Sequence, residues 1–136
     1  MSLFNVFEIS SSAIAAQSQR LNVTASNIAN ADSVAGPDGK PYQAKQVVFQ
    51  AVPTADGERA PAKVQVAGIV DDTTPGRTVY NPSHPLADAA GYVTMPNVSV
   101  VEEMVNMILG QRAYEASSKV IKAADEMLAQ INNIVR

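Results

Sequence analysis

Cysteine is absent from this 136-residue chain, and so is tryptophan. The first absence removes disulfides, thiol chemistry and cysteine-based metal sites together. His84 is the only histidine, so a metal centre would have to be built from carboxylates around it. Aromatic residues make up 5% of a chain that is 46% hydrophobic. Burial must therefore rest on Ala, Val, Ile, Leu and Met, or be supplied by neighbouring molecules. No basic cluster stands out against a net charge of −3, which excludes the electrostatic footprint of nucleic-acid binding. No run approaches the roughly 18 consecutive apolar residues of a membrane span. Residues Met1 to Asn30 hold no lysine and one arginine, Arg20, without the charged-then-apolar pattern of a cleaved signal peptide. A chain of this kind is expected to leave the cytoplasm, if it does so, by an uncleaved route.

Proline is missing from both ends. All eight prolines lie between Asp32 and Pro96, as do six of the seven glycines, Gly110 being the exception. The ends are free to form long helices and the middle is forced into strands and turns. The expected fold is α+β. Residues 1–31 and 97–136 form a helical assembly domain, an antiparallel coiled-coil-like bundle, and 32–96 form a small β-rich insert at its far end.

In the first helix Phe7, Ile14, Leu21 and Ile28 recur every seven residues, flanked by Ser, Gln, Thr and Ala. Only Glu8 and Arg20 are charged. Such a helix is too poor in ion pairs to be a solvated rod and too thin in its apolar stripe to make a strong monomeric core. The second helix opens with a capping-box pattern, Ser99 to Glu102. Its seam runs Val100, Met104, Met107, Tyr114, Ile121, Ala124, Leu128, Ile131 and Val135, with Gly110 or Gln111, and Ser117, filling the missing places in alternating steps of three and four. Glu115–Lys119 and Lys122–Glu126 are spaced as i,i+4 ion pairs. A second stripe, Val101, Val105, Ile108, Val120, Ala123, Met127 and Ile134, covers another face. One partner helix cannot bury both, which predicts several partners and end helices that gain order on assembly. On this reading Leu21→Asp would block polymerisation and leave the insert folded.

The middle predicts strands at Ala44–Val52, Ala62–Val70 and Arg77–Tyr80, with turn chemistry at Pro53–Pro61, Asp71–Gly76 and Asn81–Tyr92. Its candidate chemical groups read more simply as structure. His84 stands alone in a Pro-flanked loop. Asp71 and Asp72 sit in a turn with Thr73, Thr74, Pro75 and Gly76. The turn at Gly36-Pro37-Asp38-Gly39 lacks the Lys-Ser/Thr of a phosphate loop. Ser10, Ser11 and Ser12 have no neighbouring base and read as small residues for close helix approach. Asn27 and Asn30 either end the helix in a left-handed conformation or hydrogen-bond across subunits where helix meets insert. Nothing points to an enzyme or a cofactor.

Asn27-Ile28-Ala29-Asn30-Ala31, closing the first helix, resembles the signature of the flagellar rod and hook axial proteins. So do Met104-Val105-Asn106, Gln111-Arg112-Ala113-Tyr114-Glu115-Ala116 and Asp125-Glu126-Met127-Leu128. The stretch Asp32 to Tyr42, with Lys45-Gln46-Val47-Val48-Phe49-Gln50, departs from the general pattern of that family and is similar to its proximal-rod members. Asn81-Pro82-Ser83-His84-Pro85-Leu86-Ala87-Asp88, Gly91-Tyr92-Val93 and Met95-Pro96-Asn97-Val98 share that likeness.

The resemblance implies a structural subunit of the proximal rod of the flagellar basal body. It would be exported uncleaved by the flagellar type III apparatus and polymerise through its terminal helices into a periplasm-spanning drive shaft around a central channel. Implied partners are copies of itself, other rod proteins and the export apparatus, with no nucleic acid, small-molecule substrate or membrane insertion. The candidate interface is Phe7, Ile14, Leu21, Asn27, Ile28 and Asn30 on the first helix, and Val100, Met104, Met107, Tyr114, Ile121, Leu128, Ile131 and Val135 on the second. The competing reading of the same helix–insert–helix pattern is a coiled-coil adapter or chaperone of a type III secretion system. That protein would form a small closed oligomer instead of co-assembling with rod proteins.

Overall fold

A computed structural model describes residues 3–35, 40–54 and 61–134. The turn read at Gly36–Gly39 and the interface position Val135 lie outside these residues. The element order is α1 (Leu3–Ala29), β1 (Lys45–Pro53), β2 (Ala62–Asp71), β3 (Thr78–Tyr80), β4 (Tyr92–Thr94) and α2 (Val100–Ile134). Both helices fill the proline-free ends. Ser99 starts α2, its hydroxyl accepting from the Glu102 N–H at 3.4 Å and its carbonyl from the Glu103 N–H at 3.0 Å. Glu102 and Glu103 in the first turn suit the positive end of the helix dipole.

The helices run antiparallel. Asn27 meets Glu103, Arg20 meets Asn106, and Leu21 and Gln17 lie against Gly110. Carried on at the common helical rise, this register sets the start of α1 opposite about residue 124 of α2. Ala124 is buried there, and the remaining turns of α2 run on past the end of its partner.

β1 and β2 form an antiparallel hairpin, from Lys45 opposite Asp71 to Pro53 opposite Ala62. The register shifts between Val48 and Phe49, leaving Ala67 as the extra residue of a bulge. The hairpin is not at the far end of the bundle, as the sequence led us to expect; it folds back along α1. Its open end is tied to Asn27, the Val64 N–H donates to Ser12 Oγ at 3.1 Å, and Lys63 pairs with Glu8 at 3.0 Å near the start of the helix. The lengths explain this. From Glu8 to Asn27 a helix rises about 29 Å, and a nine-residue strand spans about 30 Å, so the two lie alongside with their ends matched.

β3 and β4 make a second, three-rung antiparallel ladder from Thr78–Thr94 to Tyr80–Tyr92. β4 was not foreseen, because Tyr-Val-Thr is too short for its alternation to be read beside the turn residues before it. The ladder is closed by Gly91 at φ 82° and by Asp88, whose Oδ1 accepts from the Ala90 and Tyr92 N–H groups.

Gly76 marks a tight backbone approach. A Cβ there would sit 2.0 Å from the Met95 carbonyl oxygen, whereas at Gly68 nothing lies within 4 Å. Gly76→Ala is therefore expected to cost about 2 kcal/mol or more, because a backbone atom has no rotamer by which to yield. Gly68→Ala should stay within about 0.5 kcal/mol of the parent. Urea unfolding of the two variants checks this; equal midpoints would refute it.

Candidate assembly interface

The interior of the chain is thin. Among the described residues its buried apolar side chains are Ala16, Ala31, Ala44, Ala124, Val93 and Pro96, and beside them lie buried Ser10, Thr24 and Asn27. Total exposed surface is 9382 Å², where a compact monomer of 14.3 kDa would show about 6,800 Å². The large apolar side chains are outside. Phe4 is 82% exposed and Val101 73%, and Met104, Val105, Ile108, Leu109, Val120, Met127 and Ile131 are all exposed along α2.

The arrangement follows from what α2 turns toward α1. Glu103, Asn106, Met107, Gly110, Ala113, Ser117, Ser118, Ile121 and Ala124 are the half-buried or buried positions among its described residues, at helical spacing. Small residues let the backbones approach, and Gly110 is the closest point, with Leu21 Cδ2 3.0 Å from where a Cβ would stand. Of the predicted α2 seam, Val100, Met104, Tyr114, Leu128 and Ile131 are exposed, while Met107 and Ile121 are half-buried. On α1, Phe7, Ile14, Leu21 and Ile28 are half-buried. Leu21 is in use within the chain, against Gly110, so Leu21→Asp would disturb the subunit itself as well as any assembly. The i,i+4 pairs read from the sequence do not form. The ion pairs among the described residues are Lys45–Asp71, Lys63–Glu8 and Arg77–Asp32.

Asn27 needs the clearest correction. It is 1% exposed, and its amide is saturated inside the chain. Nδ2 donates to the Lys45 carbonyl at 2.9 Å and to Glu103 Oε2 at 3.2 Å; Oδ1 accepts from the Lys45 N–H at 2.9 Å and the Tyr42 hydroxyl at 3.0 Å. Two donors and two acceptor sites are the full capacity of an amide. No hydrogen bond remains for another subunit, and Asn27 instead locks α1, α2 and β1 together. Asn30 donates to the Ser26 carbonyl at 2.8 Å, capping the helix end by its side chain, and accepts from the Ser33 hydroxyl. Neither asparagine is left-handed, as no non-glycine described residue has positive φ.

Asn97, not singled out in the sequence, is a second junction. Its Oδ1 accepts from the Ala44 N–H at 2.7 Å, and its Nδ2 donates to the Asp72 and Thr74 carbonyls. An asparagine just before a helix cap and after a proline was the available signal; its partners lie 53, 25 and 23 residues away.

The candidate chemical groups are taken up by structure. His84 Nδ1 accepts from the Leu86 N–H at 3.1 Å within its turn. Asp72 accepts from the Thr74 hydroxyl and N–H, which holds its carboxyl below the ordinary range. The hydrogen bond from Lys45 to Asp71, at 2.6 Å, holds that amine above its ordinary range. Among the described residues no three acidic or imidazole groups gather as metal ligands, and no helix is long and apolar enough to cross a membrane.

This geometry belongs to a subunit with a polar-sealed junction and apolar outer faces, and comparison with known proteins agrees. The family model described as flagella basal body rod protein matches residues 7–37, and that described as flagellar basal body rod FlgEFG protein C-terminal matches residues 89–134. The chain is thus a structural subunit of the flagellar basal-body rod. It is 56% identical over 128 residues to proteins named flagellar basal-body rod protein FlgC from Yersinia enterocolitica, Salmonella typhimurium and Escherichia coli O157:H7, with 94% of each chain covered. At that identity and coverage the chain belongs to the FlgC family of flagellar basal-body rod proteins.

Proposed function

We propose that the chain polymerises through α1 and α2 with copies of itself and other rod proteins into the periplasmic drive shaft around the export channel, after uncleaved type III export. Its work is mechanical and not catalytic. The observation that carries this reading is the exposed apolar face of α2 on a chain with an alanine-rich interior. Residues 1–31 and 97–136 act on this reading as the assembly unit, with 32–96 as its brace. Exposed Val100, Met104, Tyr114, Leu128 and Ile131 are its contact residues, and Phe7, Ile14 and Ile28 contribute their open sides.

Purified basal bodies from cells carrying a labelled chain should hold the label in the rod; a label confined to the cytoplasm would overturn the reading. Hydrogen exchange gives a second measure. In the isolated chain, amides 127–134 beyond the end of α1 should exchange rapidly. In assembled rods they should become protected, because neighbours then cover that stretch. Equal exchange in the two states would contradict assembly through this helix.

A further inference from the structure

The two charges of α1, Glu8 and Arg20, are treated differently by the fold. Glu8 has an ion partner in Lys63. No carboxylate among the described residues stands within ion-pair distance of Arg20. Its hydrogen bond is a long one, Nη2 donating to Asn106 Oδ1 at 3.4 Å. Arg20 is half-buried, and a cation drawn partly out of water without a counter-charge is costly.

It lies in a groove of about 460 Å³ floored by α1 and walled by the start of β1 and by α2. The other charged groups lining that groove are already engaged. Glu103 accepts from Asn27 on one oxygen and from Asn106 on the other. Lys45 is bound to Asp71. With Lys45 neutralised by Asp71, Arg20 reaches Glu103 only through Asn106, which accepts from the one and donates to the other, and the rest of its planar fork is left open. Val23, Val47 and Phe49 line the same groove and offer apolar wall to the stem of an incoming side chain.

We infer that this groove receives a carboxylate from an adjoining axial subunit, held by the Arg20 guanidinium. The inference rests on the assembly reading above and adds the site and the chemistry of one contact. A guanidinium is matched to a carboxylate by two parallel N–H donors, and pairing in the groove would offset the partial desolvation of Arg20 in the free subunit.

The test uses the full chain, expressed in cells lacking their own copy, with Arg20→Gln, Arg20→Glu and Arg20→Lys variants. Thermal melting is read on each purified chain and its amount is measured in purified basal bodies. Arg20→Gln should melt like the parent yet fall about tenfold or more in incorporation, and Arg20→Lys, which keeps the charge and loses the fork, should recover only part of it. Motile revertants of Arg20→Glu should carry an acidic-to-basic change on the surface of an axial subunit. Parental incorporation of Arg20→Gln, melting that falls in step with incorporation, or revertants mapping to Glu103 would each overturn the inference, because Arg20 would then serve its own chain. Absence of the parental chain from basal bodies would instead sink the assembly reading itself.

Discussion

Replacing Val105 and Ile108 together by aspartate should leave the isolated chain folded and keep it out of the rod. Both side chains are about half exposed in the subunit and lie on the side of α2 turned away from Gly110 and Ala124. The monomer loses little by the change, about 1 kcal/mol across the pair, most of it from the covered half of each side chain. The assembled state loses far more. Two carboxylates would enter an apolar contact without partners, at several kcal/mol each. Immunoblots of purified basal bodies should show incorporation falling a hundredfold or more, since 1.4 kcal/mol is about tenfold in an equilibrium. Circular dichroism should show a melting curve close to that of the parent. Wild-type incorporation would show that this face meets solvent in the rod.

Asn27→Ala should be the most damaging single change to the subunit itself. It removes four hydrogen bonds at one buried point, strands the Lys45 N–H and carbonyl and one Glu103 oxygen, and leaves the Tyr42 hydroxyl only its long contact with Ser26 Oγ. A loss of about 3 kcal/mol is expected, since the stranded backbone groups bear most of the penalty. Asn27→Asp separates shape from hydrogen bonding. The new carboxylate could still accept from Lys45 and Tyr42, but would face the Lys45 carbonyl and Glu103 with no proton to give. Its folded pKa would be raised by Glu103, so the penalty is present at neutral pH and is relieved as pH falls and the carboxyl protonates. Urea midpoints at pH 7 and pH 4 measure this. A gap between variant and parent that does not narrow at the lower pH would show that Glu103 does not press on position 27.

The two helices and the class of the insert were legible because proline and glycine confine themselves to the middle of the chain. The seam between the helices was not. Apolar periodicity picked out Met104 and Tyr114, but close approach favours small side chains, so α2 presents Gly110, Ala113 and Ala124 to α1 and turns its bulk outward. The outward stripe through Val101, Val105 and Ile108 was readable, since it was the face left over by any single partner. Asn27 drew notice as part of a motif, yet its role depends on Lys45 and Glu103, which are 18 and 76 residues away. No local pattern carries that pairing. The run of the hairpin along α1 was hidden for the same reason: equal lengths permit it, and only long-range contacts select it.

That hairpin is pinned near both ends of the helix it follows, at Asn27 and at Glu8. To bow α1, a load must slide the strands against these two anchors, as a strut resists when bolted at each end of a beam. Flexural stiffness is thus built into each protomer before any neighbour arrives, and a shaft made of such pieces need not derive all of its rigidity from the joints between them.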